Sequence, residues 1–410
     1  MGRRATKALA VKVIKRLRSA KHEALLAGGC VRDMLMRRRP ADYDVATSAT
    51  PQEVKALFRR VRMVGAKFGV AMVIEQGRPV EVTTFRSDVS YSDGRRPDAV
   101  RFVSAREDAW RRDFTINGMF YDPLAGQVVD YVGGRADLAR QVIRAIGDPA
   151  QRFAEDHLRM LRAVRFASRL GFRLDGATAD AIRRKAGRIV GISGERIREE
   201  LEKISSHLSA ADAFDRMDDL GLAEAMLPEL FDAPNGWARA GKRLRAVAGR
   251  GDVVLTLAAL LCGLPADDIR NITRRWGASN VVRGSLLWMA KHLNDWRTLP
   301  DASLADLKRL LAHRDCDHLQ ALWRVEERLA TGGGRGCRSI RRRIGAIDPH
   351  QIAPPPLLTG EDLMRLGLKQ GARLGRVLKA VYEAQLNERV SSRRDATDLA
   401  QRLIADARNG

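Results

Sequence analysis

The stretch Leu26-Ala27-Gly28-Gly29-Cys30-Val31-Arg32-Asp33, with Asp42-Tyr43-Asp44 a short way downstream, is the most informative part of the chain. The apolar run Ala24–Ala27 reads as a short buried strand, and residues 31–38 have helical character. Gly28-Gly29 sits between them. Glycines at such a turn let backbone approach a phosphate, and the helix N-terminus behind them offers free N–H donors. Arg32 adds a guanidinium suited to phosphate oxygens. Asp42 lies 13 residues after Gly29, in a segment that reads as a second strand, residues 42–46. Side chains at i and i+2 of a strand share a side. Asp42 and Asp44 are therefore expected side by side, an arrangement that repels unless a cation lies between them.

Working outward, Leu9, Val13, Ile14 and Leu17 recur at helical spacing within residues 6–20. Thr50-Pro51-Gln52-Glu53 has the N-cap, the first-turn proline and the third-position glutamate of a helix start. Strands are expected at residues 71–74 and 79–85, and residues 92–97 form a turn-rich loop. Residues 1–147 thus read as a small α/β domain. From Pro149 onward the pattern is helical and no further strand is expected. A Gly-rich stretch at 331–335 and a Pro-rich one at 347–358 read as a linker. Gly332-Gly333-Gly334 follows no strand and lacks Gly-Lys-Ser/Thr, so it reads as a plain loop. The fold class is α+β: a mixed sheet with helices first, an all-α remainder after it.

Three further segments carry candidate chemistry. Glu81 alternates with Val80 and Val82, so it is expected on the polar face of its strand. With Asp42 and Asp44 it completes three oxygen ligands, a set that suits Mg²⁺. Taken alone, Glu81 would be an edge-strand residue facing water. In Arg111-Arg112-Asp113-Phe114-Thr115-Ile116-Asn117-Gly118, Arg112 can hold a triphosphate, while Asp113 or Asn117 can fix a sugar or a neighbouring side chain. Residues 153–166 read as one continuous helix carrying Asp156, Arg159, Arg162 and Arg165. Asp156 and Arg159, a turn apart, would present an acceptor beside a donor. That pair matches the amino group and ring nitrogen of cytosine and adenine, and mismatches uracil and guanine. The alternative is a surface ion pair of small energetic value.

The 410 residues suffice for two or three domains. With 45% hydrophobic and 30% charged residues the chain is not of disordered composition. A formal charge of +23 points to a polyanion, with nucleic acid the default. The four cysteines, Cys30, Cys262, Cys316 and Cys337, form no C-x-x-C pair, so neither a zinc nor a redox framework is expected and the chain reads as cytoplasmic. No apolar run reaches the roughly 18 residues of a membrane span.

In this order, the segments at 26–44, 111–117 and 155–159, with Gly194-Glu195-Arg196-Ile197 and Glu200-Leu201, resemble the class II tRNA nucleotidyltransferase and bacterial poly(A) polymerase family. The resemblance spans about residues 24–205 and returns weakly at 356–378. It implies a nucleotidyltransferase catalytic head (1–147), a helical neck that recognises the base (148–210), a helical body (211–345) and a tRNA-binding tail (346–410). By likeness, Asp42, Asp44 and Glu81 would bind Mg²⁺. Gly28, Gly29, Arg32 and Arg112, with Asp113 and Asn117, would hold the nucleotide. Asp156 and Arg159 would read the base, and Arg162 and Arg165 would complete the pocket. Glu195, Arg196 and Glu200 would support the neck. CTP and ATP would be the substrates and the tRNA 3′ end the acceptor, with body and tail holding the acceptor arm by shape and phosphate.

Within the family, Val64-Gly65-Ala66-Lys67-Phe68-Gly69-Val70 is closer to the tRNA enzymes, although those usually show Thr where Val70 stands. The loop Tyr91-Ser92-Asp93-Gly94-Arg95-Arg96-Pro97 is of full length, whereas CC-adding relatives have it shortened. Full CCA addition is therefore expected. An A-adding enzyme, a CC-adding enzyme and a poly(A) polymerase stay open as alternatives, and a non-catalytic RNA-binding protein on a transferase-like head is the rival from another class. No His-Asp pair of a phosphohydrolase occurs at 257–263, and His313, Asp315, Asp317 and His318 read as a solvated helix face.

Overall fold

The computed structural model describes residues 6–64, 69–88 and 100–406. The loop 91–97 and residues 65–68 lie outside them. The chain forms two compact units, one built mainly from residues 1–234 and the other from 235–247, 254–271 and 279–410.

The first unit opens with helix α1 (Lys7–Ser19), strand β1 (Ala24–Ala27), helix α2 (Gly29–Leu35), strand β2 (Asp44–Thr47) and helix α3 (Pro51–Leu57). Strands β3 (Val61–Met63), β4 (Val70–Glu75), β5 (Arg78–Thr84), β6 (Arg86–Asp88) and β7 (Val100–Phe102) follow, then helix α4 (Ala105–Trp110) and strands β8 (Phe120–Asp122) and β9 (Gln127–Val129). Seven strands make one mixed sheet in the order β3-β4-β5-β2-β1-β8-β9. Its one parallel pairing joins β2 to β5, with Val45 opposite Val82.

Alternation along β1 explains the two faces. Ala24 and Leu26 join the core formed with Val13, Ile14 and Leu17 of α1. Leu25 and Ala27 join a second core with Phe85, Ala109 and Phe120. The N-terminal amphipathic segment is thus a structural helix. The start of α3 follows its sequence signature, with Thr50 and Glu53 in a reciprocal capping box.

The second strand starts later than expected, and the edge-strand alternative for Glu81 is ruled out. Strand β2 begins at Asp44, so Asp42 precedes the regular pairing. The alternation nonetheless continues, because Tyr43 packs on the α1 core. Glu81 is not on an edge strand: β5 lies between β4 and β2 in the sheet.

After β9 come α5 (Gly134–Ala139), β10 (Val142–Ile143), α6 (Pro149–Glu155), α7 (Leu158–Leu170), β11 (Arg173–Leu174), α8 (Gly176–Lys185) and α9 (Gly194–Ser205). The expectation of no strand beyond Pro149 is corrected by β11, which pairs in parallel with β10. Two residues are too few to give a periodic signal.

The second unit is helical among its described residues. Inside it the buried Glu326 accepts from Arg243 at 2.9 Å and Arg239 at 2.6 Å. The Gly332–Gly334 run joins helix Cys316–Thr331 to helix Arg335–Gly345, with Gly332 in the left-handed region at φ 67°. The reading of residues 313–318 as a solvated helix face is corrected. His313 precedes the helix and stacks on Trp288, with ring centroids 3.6 Å apart, while Asp315 is buried. No helix among the described residues is long and apolar enough to cross a membrane.

Candidate active site

A cleft of about 590 Å³ opens in the first unit. All thirteen candidate residues line it: Gly28, Gly29, Arg32, Asp42, Asp44, Glu81, Arg112, Asp113, Asn117, Asp156, Arg159, Arg162 and Arg165.

Its floor is the sheet. Stepping back one residue from the Val45–Val82 register places Asp44 beside Glu81 on neighbouring parallel strands. Val80 and Val82 are buried in the α1 core, so Glu81 and Asp44 face the other way, into the cleft. Burial, followed by the charges of Glu81 and Asp42, pushes the Asp44 carboxyl up to about 7, against a weaker pull from Arg112. Burial and Asp42 also raise Glu81. Among the described residues, no three His, Cys, Asp or Glu side chains form a ready cage for an ion. The donor set still fits a hard cation that keeps waters and substrate phosphates among its ligands.

The glycine turn forms one wall. Gly28 has φ 73° and ψ −134°, a conformation that favours glycine, and a Cβ there would meet Arg112 Nη1 at 3.1 Å. Its N–H donates to Met119 O, tying the turn to the segment before β8. Cys30, just behind, is buried and its thiol is raised to about 11, chiefly by burial. It is an inert packing residue.

The second wall is a chain of ion pairs and hydrogen bonds. Arg32 donates to Asp33 at 2.7 Å and to Asn117 Oδ1 at 2.8 Å. Asn117 Nδ2 donates to Asp113 Oδ1 at 3.2 Å, and Asp113 Oδ2 accepts from Arg162 at 2.6 Å. Arg165 donates to Glu200 of α9 at 2.6 Å, and Arg162 lies 4.0 Å from the same carboxylate. Burial works to raise Asp113, but Arg162, Asn117 and the Phe114 N–H together outweigh it and hold the carboxyl below the usual range. Phe166 sits among the guanidiniums, with Arg165, Arg32 and Arg162 at 4.3, 5.4 and 5.6 Å from its ring centre. Of the two earlier readings of Asp113 and Asn117, their present contacts are to neighbouring side chains.

Asp156 and Arg159 meet the cleft differently from the expectation. Residues 153–166 are not one helix: α6 ends at Glu155, Asp156 is extended at φ −149°, and α7 starts at Leu158. Asp156 Oδ1 accepts the N–H of Leu158, so its side chain competes with helix continuation, as Asp commonly does. Its Oδ2 accepts from Arg196 of α9 at 2.8 Å. Arg159 donates to Glu155 at 2.5 Å and to the Arg152 carbonyl at 3.0 Å. The acceptor and donor thus stand in the same cleft, each held by its own partner.

Asp108 was not singled out from the sequence. It is 1% exposed and accepts from Arg111 at 2.8 Å, from Arg112 at 2.9 Å and from the Arg86 N–H at 3.2 Å. Burial works to raise it, and Arg112 then Arg111 bring it below the usual range. The signal was present as an acid three and four residues before two arginines at a helix end.

Comparison with known proteins agrees with this geometry. Residues 24–144 match the family described as Poly A polymerase head domain. Residues 171–233 match that described as Probable RNA and SrmB- binding site of polymerase A. The CCA-adding enzyme of Lactobacillus helveticus is 35% identical over 394 residues, covering 95% of each chain. That of Geobacillus stearothermophilus is 35% identical over 400 residues, covering 94% of each. A crystal structure of the Bacillus stearothermophilus CCA-adding enzyme in complex with CTP superposes with a TM-score of 0.77 at 30% identity, covering 98% of this chain and 99% of that one. Identity at this level over nearly the whole length of the relatives means that the chain belongs to the family of CCA-adding enzymes.

Proposed function

We propose that the chain is a template-independent nucleotidyltransferase that rebuilds the CCA end of tRNA from CTP and ATP, releasing pyrophosphate. The observation that carries this reading is the convergence of Asp42, Asp44 and Glu81 on one cleft with Arg32, Arg112, Arg159, Arg162 and Arg165. A site for binding alone has no use for three converging acids, two of which, Asp44 and Glu81, are raised by burial and further by the charge of Asp42.

Enzymes of this family generally depend on a divalent metal, and Mg²⁺ suits Asp42, Asp44 and Glu81 by its preference for a few carboxylates. When bound it would supply positive charge for the α-phosphate oxygens, the attacking hydroxyl and the leaving group. The rest follows from the protein's own side chains. The Gly28-Gly29 turn and Arg112 hold the triphosphate, with Arg32 set by Asp33 and Asn117 beside them. The tRNA 3′ hydroxyl oxygen bonds to the α-phosphorus of CTP or ATP in line and gives up its proton to solvent, as the bond from that phosphorus to the oxygen of pyrophosphate breaks. Much of the rate comes from holding the two reactants in place.

Asp156 and Arg159 select the base. Their partners Arg196 and Glu155 fix them before a nucleotide arrives, which limits the ordering cost of binding. The helical neck (148–210), body (211–345) and tail (346–410) position the tRNA by shape and phosphate contacts, consistent with the charge of +23. Action on tRNA and four free thiols suit a cytoplasmic enzyme.

The test is to incubate the protein with Mg²⁺, both nucleotides and tRNA lacking CCA, then sequence the 3′ ends. Ends completed to CCA and no further support the reading. Long adenylate tails on unrelated RNA would make the protein a poly(A) polymerase instead.

A further inference from the structure

A second cleft of about 400 Å³ lies beside the first, and Arg111 lines both. Its other lining residues include Arg106, Glu107 and Trp110 of α4, with Arg152 and Glu155 of α6. Trp110 is the last residue of α4, a helix whose buried residues are Ala105, Asp108 and Ala109. Trp110 is 44% exposed. An exposed indole in a cleft that also holds arginines offers a base a stacking face.

The backbone there is held on both sides. Arg152 donates to the carbonyl of Trp110, and Arg159, which lines the first cleft, donates to the carbonyl of Arg111 at 3.5 Å. The acids of the second cleft are already engaged. Glu155 accepts from Arg152 at 2.9 Å and from Arg159 at 2.5 Å. Glu107 caps the Ser104 turn and lies 3.7 Å from Arg101. Arg152 is spent on Glu155 and on the carbonyls of Ile146 and Trp110, so a polyanion entering this cleft meets Arg106 and an aromatic face.

We propose that the second cleft takes the 3′-terminal segment of the RNA being extended, with a base stacked on Trp110 and a flanking phosphate against Arg106. This rests on the reading that the first cleft extends an RNA 3′ end. The last base of that RNA changes as C, C and A are added, so a subsite that holds it must accept any base. Stacking does so because every base has a π-face, whereas hydrogen-bond readout would reject most of them. Arg111 lines both clefts, so the two are neighbours.

The test compares the native chain, Trp110→Ala and Trp110→Tyr, adding A to tRNA that ends in CC. Trp110→Ala is expected to raise KM for tRNA about tenfold, the scale of one lost stack, with KM for ATP within about twofold. Trp110→Tyr is expected to restore most of the tRNA affinity, since a phenol also stacks. In parallel, tRNA is expected to quench tryptophan fluorescence of the native chain, and less in Trp110→Tyr, which stands even if the alanine variant folds poorly. Equal tRNA KM and equal quenching across the variants would overturn the proposal, as would a rise in KM for ATP alone. If the native chain adds nothing to any tRNA, it is the reading of the first cleft that fails.

Discussion

Arg162 Nη2 lies 2.6 Å from Asp113 Oδ2 and joins α7 to the segment that follows α4. Asp113 is the central link of the wall that runs from Arg32 to Glu200, because its other oxygen accepts from Asn117. Asp113→Ala leaves Arg162 and Asn117 without their shared acceptor. Loss of a buried charge-assisted bond costs about 2–3 kcal/mol. The expected result is a loss of roughly 10²-fold in kcat/KM, which steady-state kinetics with CTP would read.

Asp44 and Glu81 are adjacent on parallel strands, and burial followed by the Glu81 charge raises the Asp44 carboxyl. Asp44→Asn is expected to reduce nucleotide addition by about 10³-fold or more, the scale of losing a principal charge-stabilising group. Binding of tRNA, measured by filter retention, should change little. Weak tRNA binding in the variant would assign Asp44 a structural role.

Three acids left without a cation repel, so a divalent metal should stabilise the fold. Mg²⁺ is expected to raise Tm of the native chain and not of Asp44→Asn. Removal by EDTA should abolish activity, and added Mg²⁺ should restore it. An equal response of both proteins to Mg²⁺ would place the ion elsewhere.

Arg196 holds Asp156 at 2.8 Å, and Asp156 is one half of the base-reading pair. Arg196→Ala is expected to weaken discrimination of CTP over UTP by roughly tenfold, about the 1.4 kcal/mol of one hydrogen bond. Competition between the two nucleotides at equal concentration measures this. Unchanged discrimination would mean that Asp156 needs no support from α9.

Asp108 titrates below the usual carboxylate range in the folded chain. A group whose folded pKa is lowered contributes stability above its unfolded pKa, about 3.9, and loses it as pH falls through the folded value. The native chain should therefore lose stability as pH falls below about 4. Asp108→Asn is expected to be less stable at pH 7 by about 2–3 kcal/mol and to show a shallower acid limb in urea titrations.

Local signals in the sequence carried much of this architecture. Ala24–Ala27 is apolar throughout because both its faces are buried, and Thr50–Glu53 carries its whole cap within four residues. The cleft residues were legible as types because acids, glycines and arginines cluster in short segments. Their partners were not. Residues 153–166 read as an unbroken helix because nearly all are good helix formers. The break comes from one side-chain bond to Leu158 and one long-range pair with Arg196. The stacking of His313 on Trp288 joins residues 25 apart, and no periodicity reports it. The central position of β5 depends on a parallel pairing between strands separated by three other elements, which fixed Glu81 only once the sheet had formed.

The most direct test uses three tRNA substrates, ending before CCA, after C and after CC, each with CTP alone, ATP alone or both, in the presence of Mg²⁺. The account predicts that both nucleotides together complete all three to CCA and that growth then stops. It predicts cytidine from CTP alone on the two shorter ends, and one adenosine from ATP alone on the CC end. Growth confined to the CC end, or a halt after two cytidines, would contradict full CCA addition; no incorporation at all would contradict the enzymatic reading itself.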